Sequence, residues 1–273
     1  MHCYFINLDR AEGRRASITQ SFEENKRLDC RLIRFPAITA DFVRRESIPG
    51  NLRPNEKACF LSHRAVIEEN LKSPDPFMIL EDDAVFGKYT FDTLNNLIKS
   101  AKNLDWDILF TDICIPMPTT MIELVRLKNQ LSKEGEVTVL DLQHLIFAGS
   151  TAYVVNPRST ERLLDVLYQE ECLDIPYDLF LRKLIGEKKI RGKAVFPFIT
   201  SLSNYADESQ VQNDELAGAD LVWNTFRKMI WLDGATGDCK NSLKKIRTDL
   251  CDELSDDFGT IISACISGKM ISK

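Results

Sequence analysis

The sequence predicts an α/β fold built around a mostly parallel sheet, and three observations support this. Short apolar runs alternate with longer segments of helical periodicity along most of the chain. Some runs, such as CYFINL at residues 3–8, are almost continuously apolar, which is typical of parallel strands buried on both faces. Two polar clusters, at 7–15 and 81–83, directly follow such runs, so we expect both at the sheet edge where these folds bind ligands.

The first two strands lie within the first forty residues. CYFINL is followed by a polar turn that contains Gly13, and then by a helical pattern around Ile18 and Phe22. RLIRFPAI (31–38) is expected as the second strand. Proline lacks the amide proton that a ladder needs, so Pro36 should end this strand or place it at an edge.

The next elements alternate between helix and strand. Asn55 can cap a helix that reaches about Leu71, because apolar residues recur on one face between them. PFMIL (76–80) is expected as the third strand. A helix at 91–101 and a fourth strand at 106–111 follow, the first from its apolar spacing and the second from its continuous apolar run.

The second half of the chain begins less regularly. Residues 115–138 contain two prolines and a charged stretch, so we expect a mobile excursion over a cleft. STAYVV (150–155) is a strand, and the Asn-Pro pair after it suits the start of a helix. A short helix at 175–184 and a last strand at 193–198 complete the pattern.

Composition narrows the class of protein. The chain has 273 residues, of which 44% are hydrophobic, which suits one large domain or a domain with an appendage. Its formal net charge of −6 argues against a nucleic-acid partner. Eight scattered cysteines without a Cys-x-x-Cys pair argue against a zinc ribbon and for a reducing, cytoplasmic compartment. Neither a signal peptide nor a membrane span is visible.

The character of the chain changes near residue 205. We therefore expect a main domain at 1–205 and a helical C-terminal extension of unknown role at 206–273. Within the extension, LVWNTFRKMIWL (221–232) is rich in apolar and aromatic residues. This segment is interpreted either as a helix that packs on the main domain or as a peripheral contact with the inner face of a membrane that carries a lipid-linked acceptor.

Three adjacent carboxylates, Glu81, Asp82 and Asp83, end the third strand. Packing like charges together is unfavourable unless water or a cation compensates them. In an extended segment, Glu81 and Asp83 point to one side and Asp82 to the other, so either the first two or Asp82 alone should face a site. Oxygen ligands of this kind suit Mg²⁺ or Mn²⁺, and a solvated acidic turn is the alternative.

Arginines follow the first strand at positions 10, 14 and 15. Their guanidinium groups suit the oxygens of a diphosphate, although they could also simply pair with acidic neighbours on an exposed helix.

Three further polar residues lie near the expected site. His63 shares a helix face with apolar residues, which suits a hydrogen-bonded core histidine as well as a ligand or a base. Ser62 beside it would serve equally as a surface hydroxyl. Asp178 lies in the first turn of a short helix, where a carboxylate favours the helix dipole; the functional alternative is a general base at the mouth of a cleft.

Several ordered motifs together resemble glycosyltransferase family 25, the bacterial lipopolysaccharide sugar transferases related to collagen galactosyltransferases. They cover roughly residues 3–205. The motifs are INLDRAEGRR (6–15), FPAITA (35–40), NEKACFLSHRAVIEE (55–69), ILEDDAVF (79–86), AGSTAYVVNPRSTERLL (148–164) and IPYDLFL (175–181).

The resemblance implies a GT-A type fold that binds a nucleotide sugar, together with Mn²⁺ or Mg²⁺. It implies transfer of a hexose, most often galactose from UDP-galactose, to a saccharide hydroxyl of a surface glycan. Carried over residue by residue, the resemblance assigns to the nucleotide pocket Asn7, Leu8, Arg10 and Arg15, and to its wall Ser62 and His63. It assigns to donor and metal binding Glu81, Asp82 and Asp83, with Glu81 and Asp83 as the metal ligands. Asp178 is assigned to the acceptor side.

If the transfer inverts the configuration at the anomeric carbon, one base suffices, and Asp178 would take the proton of the acceptor hydroxyl. No histidine follows His144, so a late histidine metal ligand is absent, and Asn204, Asp207 or water would replace it. The alternatives are a non-catalytic nucleotide-sugar-binding protein on the same scaffold and a metal-dependent phosphohydrolase. The phosphohydrolase is disfavoured because the first strand does not end in Asp-x-Asp.

Overall fold

A computed structural model of the chain describes residues 1–100, 105–134, 136–208, 217–234 and 237–267. Strands and helices alternate along it, as the sequence predicts. The strands are β1 (His2–Asn7), β2 (Arg31–Pro36), β3 (Phe77–Glu81), β4 (Ala84–Phe86), β5 (Ile108–Phe110), β6 (Thr138–Asp141), β7 (Ala152–Val155), β8 (Gly192–Phe196) and β9 (Thr200–Leu202). The helices are α1 (Glu12–Asn25), α2 (Ala40–Arg45), α3 (Pro54–Glu69), α4 (Thr90–Ser100), α5 (Pro118–Glu134), α6 (Thr160–Tyr168), α7 (Tyr177–Gly186), α8 (Ala217–Met229), α9 (Gly237–Leu250) and α10 (Glu253–Ile266).

The central sheet has seven strands in the order β2-β1-β3-β7-β5-β8-β6. Its pairings make five strands run in one direction, while β7 and β6 run in the other. The prediction of an α/β fold with a mostly parallel sheet is therefore confirmed. Strands β4 and β9 form a separate antiparallel pair beside it.

Apolar cores lie on both faces of the sheet, because its central strands are buried on both sides. In β3, Phe77 and Ile79 join a core with α3, α6 and α7, whereas Met78 and Leu80 join a second core with α1 and α4. Because successive residues of β3 enter cores on opposite faces of the sheet, every position of the strand before Glu81 is apolar. The buried strand leaves its polar groups only at its end, at Glu81.

Two local expectations were wrong. Residues 115–138 are mostly the regular helix α5 rather than a mobile excursion: Pro118 is its first residue, where proline is tolerated, and Leu124 and Leu131 are buried. Helix α3 also begins earlier than expected. Pro54 is its first residue, and the Arg53 amide donates to the Glu56 carboxylate at 2.9 Å, so Asn55 lies inside the helix rather than capping it.

The segment at 221–232 packs against the main sheet domain. Phe226 and Ile230 belong to the larger core, and the Leu232 amide donates to the carbonyl of Phe198 at 2.7 Å. Phe226 and Ile230, two of the apolar residues that suggested a membrane contact, are thus buried as the packing alternative expects, whereas Leu221 and Trp223 are half-buried. Within the described ranges, no helix is both long enough and apolar enough to cross a bilayer. The division of the chain at residue 205 stays a prediction.

Candidate functional site

The acidic triplet, Glu81–Asp83, lies between β3 and β4 at the sheet edge where β1 also ends. Strands β1 and β3 are parallel neighbours, with Ile6 opposite Glu81. The two polar clusters that follow these strands therefore meet, as expected from their place after parallel strands. The direct link is the Asn7 side chain, whose Nδ2 donates to Asp82 Oδ2 at 2.7 Å.

Asp82 is held on one side of the triplet by two donors. Besides Asn7, the Arg14 guanidinium donates from Nη1 to Asp82 Oδ1 at 3.1 Å. Arg14 is itself fixed, because its Nη2 donates to the carbonyl of Tyr205 at 2.7 Å. Asp82 is thus a paired carboxylate.

Asp83 is the poorly compensated member of the triplet. It is 9% exposed, and its Oδ1 has no hydrogen-bond partner among the described residues. Burial, followed by the charges of Glu81 and Asp82, raises the pKa of Asp83 to about 7, although Arg14 and Arg227 act in the opposite direction. The guanidinium nitrogen Nη1 of Arg14 lies 4.0 Å from Asp83 Oδ2. A bound cation would relieve this buried charge.

Glu81 is half-buried and makes two contacts on the other side of the triplet. The Ser150 hydroxyl donates to its Oε1 at 2.9 Å, and His63 Nε2 lies 3.6 Å from the same oxygen. Burial raises the pKa of Glu81, but the adjacent His63 imidazole and the Ser150 hydroxyl outweigh it, so the pKa lies below its usual value. Glu81 is therefore available as an anionic ligand.

Two cavities meet at the triplet. The larger, of about 430 Å³, is lined by residues of the β1–α1 connection, the 37–44 segment and α3; the smaller, of about 190 Å³, lies towards α7 and α8. Cys59, Glu81 and Asp83 line both, whereas Asp82 lines only the larger one. Glu81 and Asp83, which the sequence expects on a common side, are thus the two carboxylates of the triplet that line the smaller cavity.

The residues expected in the nucleotide pocket divide into those that line the larger cavity and those that do not. Leu8, Arg10, Ser62 and His63 line it. Asn7 does not, since it is 1% exposed and instead binds Asp82 and accepts a hydrogen bond from Arg34 Nε at 3.0 Å.

Arg15 is not brought to the larger cavity. Its guanidinium lies 3.8 Å from Glu12 on the surface of α1, whereas Arg14 lines the cavity. Successive helix residues point about 100° apart, so only one of two adjacent arginines can face the same site. Pairing with an acidic neighbour is the alternative that the sequence left open for Arg15.

Ser62 and His63 are buried on α3 and are held by internal contacts. The Ser62 hydroxyl donates to the Ala58 carbonyl at 2.7 Å and accepts from the Ile38 amide at 2.9 Å, which ties α3 to the segment after β2. His63 Nδ1 lies 3.0 Å from the Tyr153 hydroxyl. Both residues thus shape the wall of the cavity.

Asp178 lines the smaller cavity from the first turn of α7. Its Oδ2 accepts a hydrogen bond from the backbone amide of Gly149 at 2.7 Å. Gly149 has φ +86°, a left-handed conformation that glycine adopts easily. The Gly149 amide therefore fixes the Asp178 carboxylate at the wall of this cavity.

The C-terminal extension supplies residues that sequence reasoning missed. Arg227 and Asn224 of α8 line the smaller cavity, and Arg227 is 5% exposed. Its guanidinium pairs with the fully buried Asp112 and donates to the Thr151 hydroxyl at 2.9 Å. The Arg-Lys pair inside an apolar helix was the available signal, because buried cations need partners.

The proposed replacements for a late histidine ligand were Asn204, Asp207 or water. Asn204 is exposed in a short 3₁₀ helix, Asn204–Glu208, and the side chain of Asp207 lies outside the described residues.

The arrangement suits the binding of a hard divalent cation. Two carboxylates, Glu81 and Asp83, share one buried side of the triplet, and Asp83 Oδ1 has its coordination unfilled within the described part of the chain. A cation bound there would lie between the larger cavity, which is lined by arginines, and the smaller cavity, which is lined by the Asp178 carboxylate.

Comparisons with known proteins identify the family of the chain. The sequence profile of glycosyltransferase family 25 (LPS biosynthesis protein) matches residues 1–181. No curated protein sequence matches the chain. Among solved structures, the chain is similar to the apo form of mouse xyloside xylosyltransferase 1, with 11% sequence identity, a TM-score of 0.33, and coverage of 70% of this chain and 63% of that one. The match thus spans less than two thirds of that protein's chain.

Proposed function

Because the chain belongs to glycosyltransferase family 25, we propose that it transfers a hexose, namely galactose from UDP-galactose, to a saccharide hydroxyl of lipopolysaccharide or another surface glycan. We further assign its sheet to the GT-A type. The observation that carries the proposal is the meeting of two cavities of unequal size at one wall formed by Glu81 and Asp83. Donor and acceptor must approach each other at such a wall.

The larger cavity is the donor site in this proposal. Its volume of about 430 Å³ lies within the range of about 300–1,000 Å³ that small-molecule pockets occupy. Arg10 and Arg14 line it beside the acidic triplet, and guanidinium groups suit diphosphate oxygens. Since Arg14 already pairs with Asp82, it also keeps that carboxylate from repelling the diphosphate.

Glu81 and Asp83 would hold Mn²⁺ or Mg²⁺ in this proposal. When bound, the ion would stabilise the negative charge of the departing nucleoside diphosphate. The buried Asp83 Oδ1 without a partner in the described chain, and the raised pKa of Asp83, support a cation at this position. Glu81 is kept ionised by the Ser150 hydroxyl and the His63 imidazole beside it.

The smaller cavity is the acceptor site, and Asp178 is its general base. The Gly149 amide orients the carboxylate through Oδ2, which leaves Oδ1 to accept the proton of the attacking hydroxyl. A single base and a single displacement correspond to inversion at the anomeric carbon. Asn224 and Arg227 contribute polar groups to the same cavity from α8, so the extension takes part in acceptor binding.

The test measures nucleotide release from UDP-galactose, UDP-glucose, GDP-sugars and CMP-sugars, with and without Mn²⁺, in the presence of a truncated lipopolysaccharide acceptor. We expect Mn²⁺-dependent UDP release that is abolished in Asp83→Ala. The matched control is Asp75→Ala, an exposed aspartate just before the same strand, which should retain activity.

Turnover that is absent with every donor, or that survives in Asp83→Ala, would contradict the proposal. If calorimetry then shows UDP binding without transfer or hydrolysis, the chain is a non-catalytic nucleotide-sugar-binding protein.

A further inference from the structure

A thiol, an imidazole and a carboxylate converge where the two cavities meet. Cys59 and His63 lie one turn apart on α3, so their side chains share a face, and Glu81 ends β3 opposite them. One ligand atom from each, Sγ, an imidazole nitrogen and a carboxylate oxygen, lies within 4.8 Å of the others. The oxygen-based site proposed above takes no ligand atom from the thiol or the imidazole.

We propose that Cys59, His63 and Glu81 bind a transition-metal ion of the Zn²⁺ class, at a site distinct from the Mg²⁺ or Mn²⁺ position at Glu81 and Asp83. A thiolate and an imidazole select zinc-like ions, whereas magnesium and manganese favour oxygen ligands. Three protein ligands leave a fourth position of a tetrahedral ion open to water or substrate. Glu81 belongs to both sites, so it would bridge them.

The distance between His63 and Glu81 is the first support. His63 Nε2 and Glu81 Oε1 are 3.6 Å apart, which is too long for a hydrogen bond. Two such ligands of one tetrahedral ion, with bonds of about 2.0–2.1 Å, lie roughly 3.4 Å from each other. The observed spacing is therefore close to that of two ligands around a shared ion.

The burial of the imidazole is the second support. His63 is 0% exposed, and its Nε2 has no hydrogen-bond partner within the described residues. A buried polar nitrogen without a partner is unfavourable, because it has lost its hydrogen bonds to water. The atom points towards Glu81, where an ion would satisfy it.

The surroundings of the imidazole orient it as metal ligands are oriented. Its Nδ1 lies 3.0 Å from the Tyr153 hydroxyl, which lies 2.8 Å from the Tyr177 hydroxyl. The ring also stacks on Tyr177, with centroids 4.4 Å apart and planes 9° from parallel. Without an ion, this imidazole lowers the pKa of Glu81. With an ion bound, Nδ1 would donate its proton to Tyr153 and Nε2 would present a lone pair, which is the tautomer that binds metal.

The third ligand, Glu81, is also held from outside the cluster. The Ser150 hydroxyl, which donates to Glu81 at 2.9 Å, fixes the third ligand from outside.

The test uses Co²⁺ as the probe, added to the untagged, chelator-treated full chain. We expect a thiolate-to-cobalt charge-transfer band that saturates at about one ion per chain. Cys59→Ser should abolish the band, and Glu81→Gln serves as a second ligand variant. Tyr153→Phe, which removes the partner of Nδ1, should weaken cobalt binding by about 10–100-fold. Cys172→Ser, at an exposed cysteine elsewhere, is the matched control and should retain the band.

The inference fails if the folded wild type shows no thiolate band, or if the band survives in a Cys59→Ser protein. Circular dichroism establishes that each variant is folded. Should Cys59→Ser unfold, cobalt binding that is unchanged in folded Glu81→Gln and Tyr153→Phe overturns the inference, and weakened binding in both supports it. Asp83→Asn separates this site from the proposed function, since it removes a Mn²⁺ ligand but should leave the cobalt band. A chain that binds cobalt through Cys59 yet transfers no sugar would refute the transferase alone.

Discussion

Replacing Asp83 by asparagine should stabilise the metal-free protein at alkaline pH. The pKa of this buried carboxyl rises from 3.8 to about 7, because burial and the charges of Glu81 and Asp82 disfavour its ionisation. At 1.36 kcal/mol per pH unit, this difference corresponds to about 4 kcal/mol that the native state loses when Asp83 ionises. An amide has no charge to bury, so Asp83→Asn avoids this loss.

The sign of the pH dependence follows from proton uptake. Between about pH 4 and pH 7 the native state holds the Asp83 proton and the unfolded state does not, so stability falls as pH rises through this window. Below pH 4 both states are protonated, and above pH 7 the loss is complete. The advantage of Asp83→Asn over the wild type should therefore be about 4 kcal/mol at pH 8 and only about 1.5 kcal/mol at pH 5.

Urea denaturation with excess EDTA at the two pH values measures the effect. Asp82→Asn is the matched control: Asp82 is already paired with Arg14 at 3.1 Å and with Asn7 at 2.7 Å, so its loss should not stabilise the protein. The reasoning is refuted if Asp83→Asn is less stable than wild type at pH 8, or if its gain is the same at both pH values. Added Mn²⁺ should raise the stability of the wild type at pH 8 and leave Asp83→Asn unchanged.

Three further predictions concern residues around the triplet. Arg14→Ala should weaken UDP binding by calorimetry at least about tenfold, or about 1.4 kcal/mol, and Arg15→Ala should leave it unchanged, since only Arg14 lines the larger cavity; equal losses would contradict the assignment. Asp178→Asn should lower kcat by about 10²–10⁴-fold with little change in the acceptor KM, and an unchanged kcat would exclude it as the base. Arg227→Met should reduce the free energy of unfolding by about 3–5 kcal/mol, because it leaves the buried Asp112 charge unpaired. Adding Asp112→Asn to this variant should recover part of the lost stability. If the double variant recovers none, the broken ion pair is not the cause of the loss.

The strands that position the site could be predicted because each is short, apolar and ended by polar residues. CYFINL corresponds to β1, and PFMIL followed by the first acid corresponds to β3. Their parallel pairing brings the Asn7 and Glu81–Asp83 clusters together. The direction of β7 was not visible, because a strand buried on both faces has the same pattern whichever way it runs.

The errors of prediction have local physical reasons. Helix α5 was missed because prolines at 116 and 118 suggested an irregular segment, although proline at the first position of a helix is favourable. Arg15 was preferred to Arg14 because a motif does not show which of two neighbouring side chains faces a cavity. That choice depends on the rotation of α1 on the sheet, which Ile18 and Phe22 set by packing into the core.

The sequence by itself determined the layered α/β order of elements, the family, and the place where negative charge accumulates, since these depend on local periodicity and on contiguous motifs. Only the tertiary structure decided how that charge is compensated. Asp82 is paired, Asp83 is buried and only poorly compensated, and Arg227 reaches Asp112 across 115 positions of chain. Electrostatic energies depend on distances and burial in space, and residues remote in sequence set both.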